Sequence, residues 1–354
     1  SFSGLFFATF VSLDPSIKAF SALNVTDANV AFLLAIASTH LYLFISQQKL
    51  EPEKLISFRS LHFAVASFLS GVAVTAKITG LLYLPFIALA GLLVTYRRTV
   101  FQGERQKALG SVRRMWLCSL IAFAAIGATL FLGGVTLGYL GDLKGGLRNL
   151  LDIILYQSAH NSGGHPTALF GDYRTHGYWY YFLVVFLYKT PLALLALLFV
   201  ALFVLTNNFI SRSSKYFCRK KYTKLFDICV CFLFPAVFIL VFLSAGNIHI
   251  GVRYLLPAII LLWIGMAVGV FKCSLRAQAI KKVKTAIVIV VPCGVFADFH
   301  TLNAGAYLSS FNILAPEPSL NFSDSNSNWH QSLPKHLAEK FKDYESFNGF
   351  IGDY

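Results

Sequence analysis

The sequence predicts an all-α polytopic membrane protein, and three observations carry that prediction. The first is composition. The residues AVILMFWYC make up 56% of the 354 positions and the charged residues only 13%. With Gly counted and Tyr left out the apolar share is roughly 59%, against about 45–50% apolar and 25% charged in soluble domains. Too few charged residues remain to coat a water-soluble globule of this size, and disorder needs low hydrophobicity, so both classes are excluded. The second is that the apolar residues gather in runs long enough for a ~30 Å hydrocarbon core, which takes about 20 helical residues. The third is that the net charge of +14 sits in short basic clusters between those runs. That is the pattern of membrane topology and not of a basic groove, so nucleic acid is not expected as a partner.

Nine apolar runs follow one another: 3–13 (short), 28–46, 60–76, 78–95, 115–139, 178–206, 227–244, 254–271 and 285–299. They are rich in Leu, Phe, Val and Ile without period-2 alternation, so they read as helices and not as barrel strands. The runs 60–76 and 78–95 form one apolar block broken at Thr75-Ala76-Lys77, which predicts a tight helical hairpin. Residues 1–299 are thus expected to form a transmembrane domain with an external loop at 140–177, and 300–354 the beginning of an external C-terminal domain. In that tail, Asn/Ser-rich turn chemistry gives way at Ser332 to an amphipathic helix. The first run is too short to span and no Met begins the chain, so the sequence reads as a fragment truncated at both ends.

The basic residues orient the runs. Placing 47–59, 96–114, 207–226 and 272–284 in the cytoplasm puts 20 of the 30 Lys and Arg there. Lys18, Lys77, Lys144, Arg148, Arg174, Arg253, Lys335, Lys340 and Lys342 fall outside, and Lys189 falls within a run. Every short cytoplasmic loop then obeys the positive-inside rule. The external face comprises 14–27, the tip at Lys77, 140–177, the tip 245–253 and the tail. Cys118, Cys218, Cys229, Cys231, Cys273 and Cys293 all lie in spans or cytoplasmic loops, which leaves no external disulfide framework. Cys229 and Cys231 are poorly spaced for a metal.

Several residues carry chemistry beyond this plan. Asp27, in "LNVTDANVAFLL", sits where the chain enters the membrane from outside; it reads either as a helix cap or as a carboxylate at the membrane surface for metal or substrate. The external segment "YQSAHNSGGHPTALFGDYRTHGYWYYF" concentrates His160, His165, His176, Asp152 and Asp172, without regular zinc spacing, and its "YWYYF" reads as an interfacial aromatic belt. In "SAGNIHIGVRYLLP", His249 and Arg253 lie in a short external tip. Arg253 and Lys77 each read either as snorkelling cations or as grips for a lipid phosphate. Lys189 of "YKTP" is the most apolar-surrounded charge, and such ions are functional candidates; the Pro two residues later predicts a kink.

Together these segments resemble glycosyltransferase family 39, which includes protein O-mannosyltransferases and lipid A aminoarabinose transferases. The resemblance rests on "LDPSIKAFSALNVTDANVAFL", "AKITGLLYLP", "GGHPTALFGDYRTHGYWYYFLVVFLYKTPLALL", "IGVRYLLP" and "SSFNILAPEP…DSNSNWHQSLPKHLAEKF", in collinear order from about residue 13 to 342. It is closest to the bacterial-type members. The tail departs from the pattern where Asn328 and Ser332 stand in place of acids. The resemblance implies a GT-C-type helix bundle in the plasma or inner membrane, with an external active site. It implies transfer of a sugar from a polyprenyl-phosphate donor to an acceptor lipid, glycan or protein, with inversion. Asp27 falls on an acidic position expected to help hold donor phosphate or a divalent metal, and Lys77 and Arg253 on basic positions facing the phosphate. His165 and Lys189 fall on patterned positions without an assigned role, and Asp172 and His249 join them as cleft candidates. The family's catalytic acid lies in a first external loop expected upstream of Ser1, so the base is unassigned and the chain by itself is not expected to transfer sugar.

Two other classes remain open. In a transporter or flippase, Lys189 and the external basic tips would line a path, although no internal repeat is visible; a non-catalytic membrane subunit is the third reading. The charge split makes a topological prediction of its own. A Cys placed at Gln102 should react with an impermeant thiol reagent only from the cytoplasmic side, and labelling from outside would refute the orientation.

Overall fold

The computed structural model describes residues 14–22, 26–46, 58–102, 143–196, 225–272, 311, 312, 314 and 315, with single helical positions at 113, 117, 120, 198, 199 and 202. The expected spans 3–13, 115–139 and 285–299 and the tail beyond 315 lie wholly or largely outside the described residues, as do most of the expected cytoplasmic segments.

The described chain is mostly helical. In order it forms α1 (Pro15–Ala22), α2 (Thr26–Ser46), α3 (Phe58–Ala76), a 3₁₀ segment (Ile78–Tyr83), α4 (Leu84–Gln102) and α5 (Leu143–Gly163). A two-stranded hairpin, β1 (Thr167–Leu169) and β2 (Asp172–Arg174), precedes α6 (Tyr181–Lys189); a π turn (Cys229–Leu233) leads into α7 (Phe234–Ser244), and a 3₁₀ turn (Val252–Leu255) into α8 (Leu256–Lys272). Among the described residues three helices are long and apolar enough to cross a membrane: Thr26–Ser46, Leu225–Ser244 and Val252–Gly269. They coincide with three expected spans and mark the chain as a membrane protein. Leu61–Ala76 and Ile78–Val94 are shorter apolar helices at two further expected positions.

Helices α2 and α3 pack against each other through small side chains. Ala28, Ala31, Ala35 and Ser38 on α2 and Ala66, Ser67, Ser70 and Ala73 on α3 are all buried. Lipid tails are as apolar as Leu, so membrane helices gain little from hydrophobic burial against each other; close backbone approach and hydrogen bonds hold them instead. The outward side chains Phe32, Ile36, Leu61 and Phe68 are exposed, as lipid-facing positions should be. Near one end of this pair His40 and His62 meet with Nδ1 atoms 2.9 Å apart. Two residues before His40, Ser38 Oγ donates to Tyr83 Oη at 2.6 Å, tying α2 to the 3₁₀ segment.

The expected hairpin turn at Lys77 is present, and it is tight because Gly80 lies directly on α3. A Cβ there would sit 2.6 Å from the Ala73 carbonyl carbon, so no other residue fits without moving the backbone. The run 178–206, expected as one kinked span, is fully interrupted. Helix α6 ends at Lys189 and helix resumes at 192, because Pro191 supplies no N–H to continue the ladder. The expected aromatic belt is also only partial: Trp179 is exposed, but Tyr178, Tyr181 and Phe182 belong to the core. Before Pro235, helix α7 is preceded by one π turn, a common companion of a disturbed helical ladder.

Asp14 anchors α1 to the bundle. Its Oδ1 accepts the N–H groups of Ser16 and Ile17 at 2.9 and 3.1 Å, capping a helix that begins with Pro15. Its Oδ2 accepts the Trp263 indole N–H of α8 at 3.2 Å. Burial pushes this carboxyl up from its ordinary value, and the Ile17, Trp263 and Ser16 donors oppose that. One side chain thus joins α1 to a transmembrane helix. Asp14→Ala should lower stability by about 2 kcal/mol or more, since it removes a cap and leaves the buried Trp263 N–H without its acceptor. Thermal unfolding in detergent would read the loss, and a midpoint equal to wild type would contradict the anchor.

Candidate functional site

Three of the sequence-selected residues come together. Lys77, at the α3 turn, places Nζ 2.5 Å from Oδ1 of Asp27 in the first turn of α2. The same ammonium lies 3.9 Å from the centroid of the Tyr254 ring, and the Arg253 guanidinium lies 5.4 Å from that centroid. Two cations from separate connections thus share one aromatic residue beside one carboxylate. Asp27 is buried and its first-turn position also suits the helix dipole, but its partner is a residue on another element, which the local cap reading does not foresee. Burial lowers the Lys77 ammonium from its ordinary value; Asp27 pulls the other way, and the nearby Arg253 cation adds to the lowering.

The tip carrying Arg253 is fixed from several sides. The Asn247 N–H donates to Asn161 Oδ1 of α5 at 2.9 Å. Thr167 Oγ1 of β1 lies 3.1 Å from the His249 carbonyl and 3.0 Å from that of His165. The His249 ring packs between Tyr181 and Phe182, at centroid distances of 5.3 and 5.2 Å. The ring also abuts Gly177, where φ is +62° and a Cβ would fall 1.7 Å from Nδ1. Only glycine satisfies both the left-handed backbone and the lack of space. Burial pushes the His249 imidazole down to about 4 from 6.5, so it is a neutral ring near pH 7. His249 therefore holds the tip in place by packing and carries no charge toward an anion.

The remaining candidates lie elsewhere. Asp172 is exposed and pairs with Arg174 at 3.1 Å in the β2 strand. The hairpin turns through Phe170 and Gly171, both with positive φ, as a two-residue connection requires. His165 is half-buried, its Nδ1 3.0 Å from the Pro166 carbonyl. Lys189 is buried at the far end of α6 from the His249 contact, its Nζ 3.9 Å from the Phe311 ring centroid. Among the described residues no three His, Cys, Asp or Glu side chains gather as metal donors, and Oδ1 of Asp27 faces Lys77. Sequence reasoning missed Asp14, Asn161 and Asn312. The Asp-Pro-Ser cap signature was visible for the first; the partners of all three were not.

The ion pair makes a sharp prediction. Lys77→Met leaves Asp27 buried without its cation and should cost about 3 kcal/mol, whereas Lys77→Met with Asp27→Leu should recover most of the loss. Unfolding midpoints of the two variants and wild type decide it; a double variant no more stable than Lys77→Met would mean the pair does not exist as described.

Comparison with known proteins found no matching family model, no matching curated protein and no matching solved structure.

Proposed function

We propose that this protein is a membrane glycosyltransferase that moves a sugar from a polyprenyl-phosphate donor to an acceptor on the external face. The observation that carries the reading is the convergence of Lys77 and Arg253 on Tyr254 beside Asp27. Those residues belong to three of the five segments that resemble glycosyltransferase family 39. The nine-span GT-C-type arrangement and the external placement of the site belong to the same proposal.

The chemistry suits such a site. A polyprenyl-phosphate donor keeps its leaving group at the bilayer surface, so the enzyme must meet it there. An acceptor hydroxyl attacks the anomeric carbon, the bond from that carbon to the phosphate oxygen breaks, and polyprenyl phosphate departs with the bonding pair. The hydroxyl proton passes to a base, which is assigned to none of the described residues. Arg253 grips the phosphate through its planar fork and Lys77 adds a point charge. Both stabilise the negative charge that builds as the bond breaks. Asp27 orients Lys77 and opposes the lowering that burial imposes on its ammonium. His249, neutral and wedged against Gly177, sets where Arg253 stands.

A transporter or flippase is the second reading, and the broken helix at Lys189 is the observation in its favour, since discontinuous helices build transport sites.

The natural gene product in isolated membranes, given a labelled polyprenyl-phosphate sugar and a mixed acceptor pool, tests the proposal. Wild type should yield labelled acceptor, and Arg253→Ala should lower turnover by at least ~10²-fold with little change in protein amount. Asp27→Asn should also lower it, because the amide can no longer hold Lys77 as an ion. Donor movement across the membrane without transfer would favour the flippase, and wild-type turnover in Arg253→Ala would leave that residue a snorkelling cation only.

A further inference from the structure

Helix α6 stops at Lys189, and the chain bends at Thr190-Pro191 before helix resumes at 192. Position 191 would ordinarily supply the N–H for the Leu187 carbonyl, and proline has none. In an apolar setting a freed carbonyl must find another donor. The donor comes from a distant part of the chain. Asn312 Nδ2 lies 2.6 Å from the Leu187 carbonyl oxygen and 2.8 Å from that of Thr190. The Asn312 backbone N–H donates to the Tyr188 carbonyl at 2.8 Å. Its Oδ1 accepts the Leu314 N–H at 3.0 Å, which folds the segment back on itself. Both ends of the amide are therefore used, each in its proper role, and the residue is buried. A second observation comes from the adjacent residue: the buried Phe311 ring lies against Lys189 Nζ, 3.9 Å from its centroid.

We propose that Asn312 supplies the hydrogen-bond donor that Pro191 lacks, and that through this contact the segment around it positions Lys189 beneath Phe311. Asn312 is a positioning residue: it acts on the backbone of the helix break and touches no reacting group. The segment thereby becomes part of the membrane-embedded fold, 122 residues along the chain from the Thr190 carbonyl it serves. Only a side chain with an N–H pair and a carbonyl of this reach fulfils the role. An aspartate would set a charge against two carbonyl oxygens, and a leucine would leave both without their donor. The proposal concerns the chain's own backbone and holds whether the external site transfers sugar or carries out other chemistry.

The test is a double-mutant cycle between positions 312 and 191 in the natural gene product, purified in detergent. Its readouts are thermal unfolding and acylation of Lys189 by a small amine-reactive ester, located by mass spectrometry. Asn312→Ala and Asn312→Asp should each lower the unfolding midpoint by on the order of 5 °C and raise Lys189 acylation several-fold. Pro191→Ala gives the Leu187 carbonyl a helical donor of its own. Added to Asn312→Ala, it should recover much of the lost midpoint, a non-additivity expected only of groups that share a partner. If Asn312→Ala fails to accumulate as folded protein, recovery of folded protein by the added Pro191→Ala carries the same meaning. A double variant no better than Asn312→Ala, or unchanged Lys189 acylation in Asn312→Ala, overturns the proposal.

Discussion

A carboxylate and an ammonium meeting at the edge of an apolar bundle is the interaction on which the candidate site depends. Asp27 and Lys77 lie 50 residues apart, on α2 and on the turn after α3. Neither charge is tolerated alone among buried neighbours, because an isolated ion in a low-dielectric setting loses its hydration without compensation. Together they tie the start of one helix to the turn after the next. The two helices pack against each other with Ala28, Ala31 and Ala73 all buried, small side chains that suit close backbone approach. Tyr254 then presents its ring to Lys77 from the side of α8, and Arg253 comes with it. The site is thus a product of three separate connections that share one end of the bundle.

Backbone accounting is the second constraint. Every carbonyl in an apolar setting needs a donor, and each break in a helix must be made good by some other group. Gly80 lets the 3₁₀ segment lie on the backbone of α3. A π turn accommodates the approach to Pro235. The break at Pro191 is served by Asn312 from far along the chain, and the same contact places Lys189 under Phe311. Asp27, Lys77, Lys189 and Arg253 are accordingly found where helices begin, turn or stop, because those are the places where the fold already contains polar groups.

The sequence made the fold class legible and much of the candidate site. Runs of about 20 apolar residues report helices that cross a membrane, and the spans near 28–46, 227–244 and 254–271 lie within two residues of the observed ones. Lys77, Asp27 and Arg253 could be selected because each is a charge at the expected edge of an apolar run. What was not legible is pairing. Nothing in "TDAN" announces that its carboxylate reaches "AKIT" and not the backbone beside it. Hydropathy also counts Pro191 as one residue in an apolar window, so 178–206 read as one kinked span; the missing N–H turns the kink into a break. The aromatic run 178–182 read as a belt by composition, but Tyr181 and Phe182 are core because His249 packs on them. Glycine at 177 carried no signal of its own, since its need is set by a ring 72 positions away.

The central claim is that Lys77 and Arg253 form a phosphate grip at the external face, held in place by Asp27 and by the packed tip around His249. The most direct measurement is an experimental structure of the natural gene product in lipid with polyprenyl phosphate bound. The account predicts phosphate density within hydrogen-bonding reach of the Arg253 guanidinium, at about 2.7–2.9 Å, and next to Lys77, with Asp27 still holding the ammonium from the other side. A phosphate lodged elsewhere, with Arg253 and Lys77 facing only protein and headgroups, would contradict it.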